Sequence, residues 1–148
     1  MKALIQRVDH AEVSVGREVV GSIGAGLCVF IGVVAEDTEK DIARLADKLV
    51  NLRIFDDADG KMNESLLDIN GEMLIVSQFT LCGDCKKGRR PSWTNAAAPD
   101  FAEAAYRKFV SEVTAKGIKT ATGIFQTHMS VEICNDGPVT LMIDTKEW

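Results

Sequence analysis

Apolar and polar residues alternate in short runs through the first third of the chain, a spacing of two that is typical of β-strands. Such runs cover residues 3–8, 12–15 and 18–23, and Gly16 with Arg17 predicts a turn between the last two. Residues 27–34 form a continuous apolar run of strand length, so we predict a strand that is buried on both faces. This part of the sequence therefore predicts a sheet.

Two longer segments carry the periodicity of helices. Apolar residues three and four apart predict a helix over residues 38–53, and Thr38 with Asp41 resembles a capping box at its start. A second helix is predicted to begin at Pro99 and to end at Lys116, because Gly117 is a typical residue just beyond a helix. Further strand patterns cover residues 72–79, 118–122, 129–134 and 139–144. Two helices among roughly seven strands indicate an α+β fold with a largely antiparallel sheet.

Composition narrows the class of protein. The chain has 148 residues, of which 46% are hydrophobic and 26% charged, and it is expected to form one domain over residues 1–148. The net charge of −5 argues against a protein that coats DNA or RNA with its whole surface. No signal-peptide pattern or bilayer-length apolar run is present, so we expect a cytoplasmic protein with no membrane partner and four reduced cysteines.

A long irregular stretch over residues 80–95 predicts a functional loop. It contains four positive charges within five residues, and Trp93 follows them: Lys86, Lys87, Arg89, Arg90. One interpretation is a solvated loop. The other is a surface that binds the phosphates of a short length of RNA while Trp93 stacks on a base. The segment alone favours neither.

Cys82 and Cys85 have the spacing of a zinc or redox motif. A zinc site needs two further ligands, and Cys28 and Cys134 do not form a second pair. We therefore interpret the spacing as coincidence, with a zinc or redox protein as the lesser alternative.

Polar side chains collect where the strand over residues 72–79 ends. The hydroxyls of Ser77 and Thr80 and the amide of Gln78 either satisfy local backbone groups or line a pocket that stabilises a developing oxyanion. A Ser-His-Asp triad is poorly supported, because His10 and His128 are the only histidines and both are expected to be ordinary surface or half-buried residues.

The run Asn135, Asp136, Gly137, Pro138 predicts a tight turn. An X-Pro bond in a tight turn is the usual place for a cis peptide. A more specific interpretation is a rigid backbone corner that presents its carbonyl groups outward, because proline fixes φ and glycine permits close approach.

Three motifs in this order and spacing resemble the D-aminoacyl-tRNA deacylases. They are Ser-Gln-Phe-Thr-Leu over residues 77–81, Lys-Gly-Arg-Arg-Pro-Ser over 87–92 and Asn-Asp-Gly-Pro-Val-Thr over 135–140. Residues 3–8, 51–55 and 60–63 are also similar, so the resemblance covers essentially the whole chain. It implies a homodimer of compact, barrel-like subunits, with the two helices outside the sheet. It also implies hydrolysis of the ester that joins a D-amino acid, or wrongly attached glycine, to the 3′-terminal adenosine of tRNA.

The resemblance also implies residue roles. Ser77, Gln78 and Thr80 line the catalytic site, and Phe79 contributes its backbone. Gly137-Pro138 is held cis and enters the partner subunit's pocket, where its carbonyl oxygens exclude an L side chain. Further roles fall to Arg7, which braces that corner, and to Met129, a pocket wall. From their charge alone, Lys86, Lys87, Arg89 and Arg90 are expected to bind the end of the tRNA. No cofactor, metal or DNA partner is implied.

Two mechanisms remain open at this point. Thr80 acts as a nucleophile, or the 2′-hydroxyl of the terminal ribose helps to activate water; the second is favoured because no base is evident beside Thr80. Gln126 and Thr127 depart from the small residues that the family more often carries, which affects the expected pocket on that side. A competing class is an RNA-binding module without chemistry, which would need neither the residues at 77–80 nor the Gly-Pro corner.

Overall fold

The computed structural model describes all 148 residues. Eight strands and two helices follow one another along the chain: β1 (Lys2–Val15), β2 (Glu18–Ile23), β3 (Gly26–Gly32), α1 (Glu39–Val50), β4 (Phe55–Asp56), β5 (Met62–Glu64), β6 (Glu72–Ser77), α2 (Pro99–Ala115), β7 (Lys119–Thr122) and β8 (Ser130–Asp144). Short 3₁₀ turns cover Phe79–Cys82 and Thr145–Glu147.

Strand β1 organises the main sheet. It pairs antiparallel with β3 along its first half, with β2 along its second half, and with β8 along its other edge. The helices α1 and α2 connect β3 to β6 and β6 to β7, which pair in parallel. Strand β2 approaches β7 so closely that a Cβ on Gly21 would lie 2.6 Å from the carbonyl oxygen of Thr122. The sheet therefore almost closes into a barrel, and the predicted α+β class is confirmed.

Burial on both faces of β3 explains its continuous apolar run. Leu27, Val29 and Ile31 belong to a large core that includes the apolar stripes of both helices. Cys28, on the opposite face, packs in a smaller cluster with Val8, Leu74 and others. The main core thus lies between the sheet and the helices, and the prediction of a doubly buried strand is confirmed.

Local signals set the helix boundaries. The Thr38 hydroxyl accepts from the Asp41 N–H at 3.4 Å and the Asp41 carboxylate accepts from the Thr38 N–H at 2.9 Å, which completes the predicted capping box. Helix α1 ends at Val50, three residues before the predicted end at residue 53. At the observed end, the side-chain amide of Asn51 donates to the carbonyl of Asp47 at 2.9 Å. Helix α2 begins at Pro99, as predicted.

Helix α2 ends just before Gly117, whose φ of +89° suits the left-handed backbone beyond a helix. Neither helix combines the length and the apolar character needed to cross a lipid bilayer.

The predicted tight turn at residues 135–138 is wrong. Strand β8 continues through it, and its pairing with β1 resumes beyond a bulge: Val8 opposes Asn135 and Gln6 opposes Thr140, so residues 136–139 together face Arg7. The Asn135 amide spans the bulge, donating to the carbonyls of Arg7 at 2.8 Å and Val139 at 3.2 Å. Residues 3–8 and 12–15 are likewise one strand, because neighbours on both edges hold β1 extended.

Candidate active site

A cavity of about 710 Å³ opens between the end of β6, the start of α2 and residues 125–131. This volume is in the range of small-molecule sites in proteins. The wall is mostly apolar, with side chains such as Ile31, Val76 and Ala102, and polar groups stand at a few places only. Such a site can hold a largely apolar ligand and orient it with a small number of hydrogen bonds.

The polar wall is formed where β6 ends. Ser77, Gln78 and Phe79 line the cavity, and the Gln78 N–H donates to the carbonyl of Ile31 at 2.7 Å, which extends the pairing with β3. The 3₁₀ turn Phe79–Cys82 then packs over Gly32, where a Cβ would lie 3.2 Å from the carbonyl oxygen of Gln78. The close approach at Gly32 thus fixes the position of this wall.

Thr80 lies beside the cavity rather than in its lining. Its hydroxyl accepts a hydrogen bond from the side-chain amide of Gln78. Thr80 therefore contacts the polar wall through Gln78. Of the four residues expected at the catalytic site, three line the cavity and the exposed Thr80 lies beside them.

The opposite wall comes from α2 and the turn before β8. The buried Tyr106 hydroxyl donates to the carbonyl of Ile75 at 2.7 Å, and its ring packs against Phe125 with centroids 6.2 Å apart. Burial raises the pKa of Tyr106 to about 12, so its phenol is neutral at physiological pH. Met129 lines the cavity, as expected, and His128 contributes the one imidazole of the lining.

Gln126 and Thr127 also line the cavity, so the difference that the sequence analysis expects at these residues would affect its wall. Gln126 has a φ of +58°, in the left-handed region that few side chains adopt. The Thr127 hydroxyl holds the turn by donating to the carbonyl of Ile124 at 2.8 Å. The turn thus keeps its shape without a glycine at residue 126.

The corner on β8 lies apart from this cavity. The Gly137-Pro138 peptide bond is cis, and both residues are exposed and absent from the lining. Gly137 has a φ of +106°, and a Cβ there would lie 2.8 Å from Nη2 of Arg7. Only glycine fits this backbone beside Arg7 without a shift.

Arg7 is only 5% exposed, and three groups hold it. Its Nη1 donates to the carbonyl of Ile54 at 2.7 Å, its Nε forms an ion pair with Asp136 Oδ2 at 2.7 Å, and Asp56 Oδ2 lies 3.6 Å from Nη1. The guanidinium therefore joins β1, the corner and the segment before β4. Arg7 lies beside the backbone of Gly137, and its bracing role stays a prediction.

Neither cysteine of the Cys-x-x-Cys spacing has the surroundings of a redox or zinc site. Cys82 is buried, its thiol donates to the carbonyl of Val33 at 3.5 Å, and burial raises its pKa. Cys85 is exposed, and nowhere in the protein do three potential metal-ligating side chains group together. A raised pKa disfavours the thiolate that redox chemistry and zinc binding require.

A family model described as D-Tyr-tRNA(Tyr) deacylase matches residues 4–144 of the chain. The chain belongs to this deacylase family. It is 56% identical over 147 residues to the D-aminoacyl-tRNA deacylase of Thermosipho africanus and 55% identical to that of Desulfotalea psychrophila, in each case over 99% of both chains. A solved structure described as c-Myc DNA Unwinding Element Binding Protein is 40% identical, with a TM-score of 0.91 over 97% of this chain and 98% of that one.

Some residues that line the cavity of the deacylase were not predicted from the sequence. Ala96, Ala97 and Ala102 form part of the apolar wall, and Tyr106 lines the cavity while it also belongs to the main core. Alanines in a loop and a helix carry no chemical signal. Tyr106 could have been noticed as the single tyrosine of the chain, placed on the apolar face of α2.

Proposed function

We propose that this deacylase hydrolyses the ester between a D-amino acid, or glycine, and the terminal adenosine of tRNA, and that it does so in the cytoplasm. The observation that carries the proposal is the cavity with Ser77, Gln78 and Phe79 on one wall and mostly apolar side chains around the rest. A neutral, mostly apolar site suits an aminoacyl ester whose side chain varies. The polar wall provides groups that can orient the ester carbonyl.

The protein needs to provide only modest catalysis, because an aminoacyl ester is already an activated acyl group. One well-placed donor to a developing oxyanion contributes roughly 10²–10³ in rate. Tyr106 is neutral, and its hydroxyl is occupied by the carbonyl of Ile75. We propose that the polar wall polarises the carbonyl while the ribose 2′-hydroxyl assists the attacking water. The hydrogen bond from Gln78 to Thr80, which is not itself a lining residue, supports a positioning role for Thr80 rather than a nucleophilic one.

We propose further that two copies assemble so that the corner of one enters the cavity of the other. Gly137 and Pro138 are exposed and lie outside the cavity of their own chain, so a neighbour is needed to bring them to a substrate. Carbonyl oxygens held at that place would clash with an L side chain and leave room for hydrogen or a D side chain. A protein that stays monomeric in sedimentation while hydrolysing only D-esters would contradict this arrangement.

The central test uses one tRNA charged in turn with a D-amino acid, glycine and an L-amino acid. We expect release of the first two and retention of the third. Ala102→Trp should fill the cavity and abolish release, whereas Ala104→Trp, on the exposed side of the same helix, should leave it intact. Release of all three amino acids at equal rates, or of none, would refute the proposal.

A second test separates the two mechanisms. A D-aminoacyl-tRNA that ends in 2′-deoxyadenosine should be almost inert, while Thr80→Ala should keep substantial activity on the natural ester. An acyl group trapped on Thr80 and seen by mass spectrometry would instead establish the nucleophilic route.

A further inference from the structure

A closed loop stands at the mouth of the cavity. The chain leaves the cavity lining at Phe79 and returns to it at Ala96. Between these points Asp84 and Ser92 exchange two backbone hydrogen bonds, of 2.7 and 3.0 Å, which close residues 84–92 into what we call the basic loop. The Asp84 carboxylate also accepts from the Lys86 N–H at 2.8 Å. The loop is therefore anchored at both ends on the rim of the site.

The charge of the basic loop is not compensated. Its four cations are exposed, and none forms an ion pair: Lys86, Lys87, Arg89, Arg90. The paired lysines of the protein lie elsewhere: Lys2, Lys108, Lys116, Lys119 and Lys146. Asp84 is the single acid between residues 80 and 95. Four unpaired cationic side chains in one loop of a protein with a net charge of −5 indicate a surface that binds an anionic partner.

An aromatic pair lies between the basic loop and the cavity. The Phe79 ring is 58% exposed and meets Trp93 edge to face, with centroids 5.8 Å apart. Gly83 allows Trp93 to pack closely, since a Cβ there would lie 3.2 Å from its Nε1. Trp93 itself is half-buried. Accessible aromatic rings beside cations are the combination that binds single-stranded nucleic acid, with bases stacked on the rings and phosphates at the cations.

We propose that the basic loop and the Phe79–Trp93 pair bind the single-stranded 3′ end of the tRNA just upstream of the terminal adenosine. This inference rests on the proposed function, because it places the terminal nucleotide in the cavity. Stacking accepts any base and phosphate contacts carry no sequence information. The surface therefore binds the common end of many tRNAs and leaves discrimination to the amino acid.

The test compares two double variants that each remove one lysine and one arginine. Lys87→Ala with Arg89→Ala alters the basic loop, and Lys40→Ala with Arg17→Ala removes two exposed, unpaired cations elsewhere. For each, kcat/KM is measured on D-aminoacyl-tRNA and on D-aminoacyl-adenosine, which has no phosphate. In the loop variant we expect the ratio of the two to fall about 10-fold and the salt slope for tRNA to flatten by about 1.4, or 0.7 per lost contact. The control should keep both values.

Stacking has its own readout. In a Trp148→Phe protein, Trp93 is the only tryptophan, and added uncharged tRNA should quench its fluorescence. Equal ratios and equal salt slopes in the two double variants, or no quenching, would overturn the inference while the deacylase activity of the unmodified protein stands. If the unmodified protein hydrolyses no D-aminoacyl-tRNA, the proposed function fails and this inference fails with it.

Discussion

The two regions to which we assign catalysis and chiral selection are built in opposite ways. The cavity wall at Ser77 ends a strand of buried apolar residues that is tied to β3 by sheet hydrogen bonds. The corner at Gly137 depends on one buried cation, Arg7, which a carbonyl and two carboxylates hold. Apolar packing tolerates substitutions of similar volume, whereas a buried charge is destabilising once a partner is lost. The comparison predicts that small changes damage the corner more than the cavity.

Arg7→Met should have the largest effect, because it leaves the Ile54 carbonyl without its donor and Asp136 without its cation. We expect a loss of about 2–4 kcal/mol in the free energy of unfolding, measured in urea. The preference for D over L esters should fall about 10-fold or more, equivalent to about 1.4 kcal/mol. Arg53→Met is the matched control, since Arg53 is exposed and binds only Asn63. Equal losses in both variants would contradict the importance of the buried cation.

Gly137→Ala should have the second-largest effect on stability and on the preference for D esters. The new Cβ would lie 2.8 Å from Arg7 Nη2 on a backbone with φ of +106°, so the corner or Arg7 must move. We expect about 2 kcal/mol of destabilisation and a reduced D-over-L preference. Gly60→Ala tests the backbone effect alone, because Gly60 also has a positive φ but has open space around it; it should cost about 1 kcal/mol. An unchanged preference in Gly137→Ala would remove the corner from chiral selection.

Tyr106→Phe should have the smallest effect, because it removes one hydrogen bond from the apolar wall and keeps its shape. The expected cost is about 1 kcal/mol in the free energy of unfolding below pH 10, with activity nearly retained. The folded pKa of Tyr106 is raised to about 12, above the unfolded value of about 10. Its contribution to stability is thus complete below pH 10 and is lost as the pH rises towards 12.

Urea titrations at pH 8 and pH 11 measure this dependence. The difference in stability between the unmodified protein and Tyr106→Phe should narrow at the higher pH. A difference that widens there would contradict the raised pKa of Tyr106.

Elements with a complete local signal could be predicted from the sequence. Helix α1 has a capping box and an apolar stripe, and β3 has an apolar run that is explained by burial on both faces. The continuity of β1 and β8 could not be predicted, because it depends on pairing partners far away in sequence. Strands β4 and β5, of two and three residues, are too short to carry a pattern.

The residues of the candidate site likewise include some that could be predicted from local sequence and some that could not. Ser77, Gln78 and Phe79 are consecutive and chemically distinctive, so a motif predicts them, and they line the cavity. The opposite wall forms only when α2 packs over the sheet, and nothing local marks Ala102 as part of it. The buried Arg7 needs an acidic partner, and Asp136 provides it. This pairing could not be predicted from the sequence, because the bulge that brings the two residues together depends on how β1 and β8 pair.

The bulge in β8 has a consequence for engineering. On one side of it the ladder with β1 is regular from Thr140 to Asp144, whereas on the other side a second register shift follows between Val8 and His10. The regular pairing from Thr140 to Asp144 does not depend on residues 136–139, so substitutions there can alter the corner without shifting that part of the ladder. A set of variants at these four residues would therefore measure the proposed role of the corner in chiral selection separately from the lining of the cavity, which does not include them.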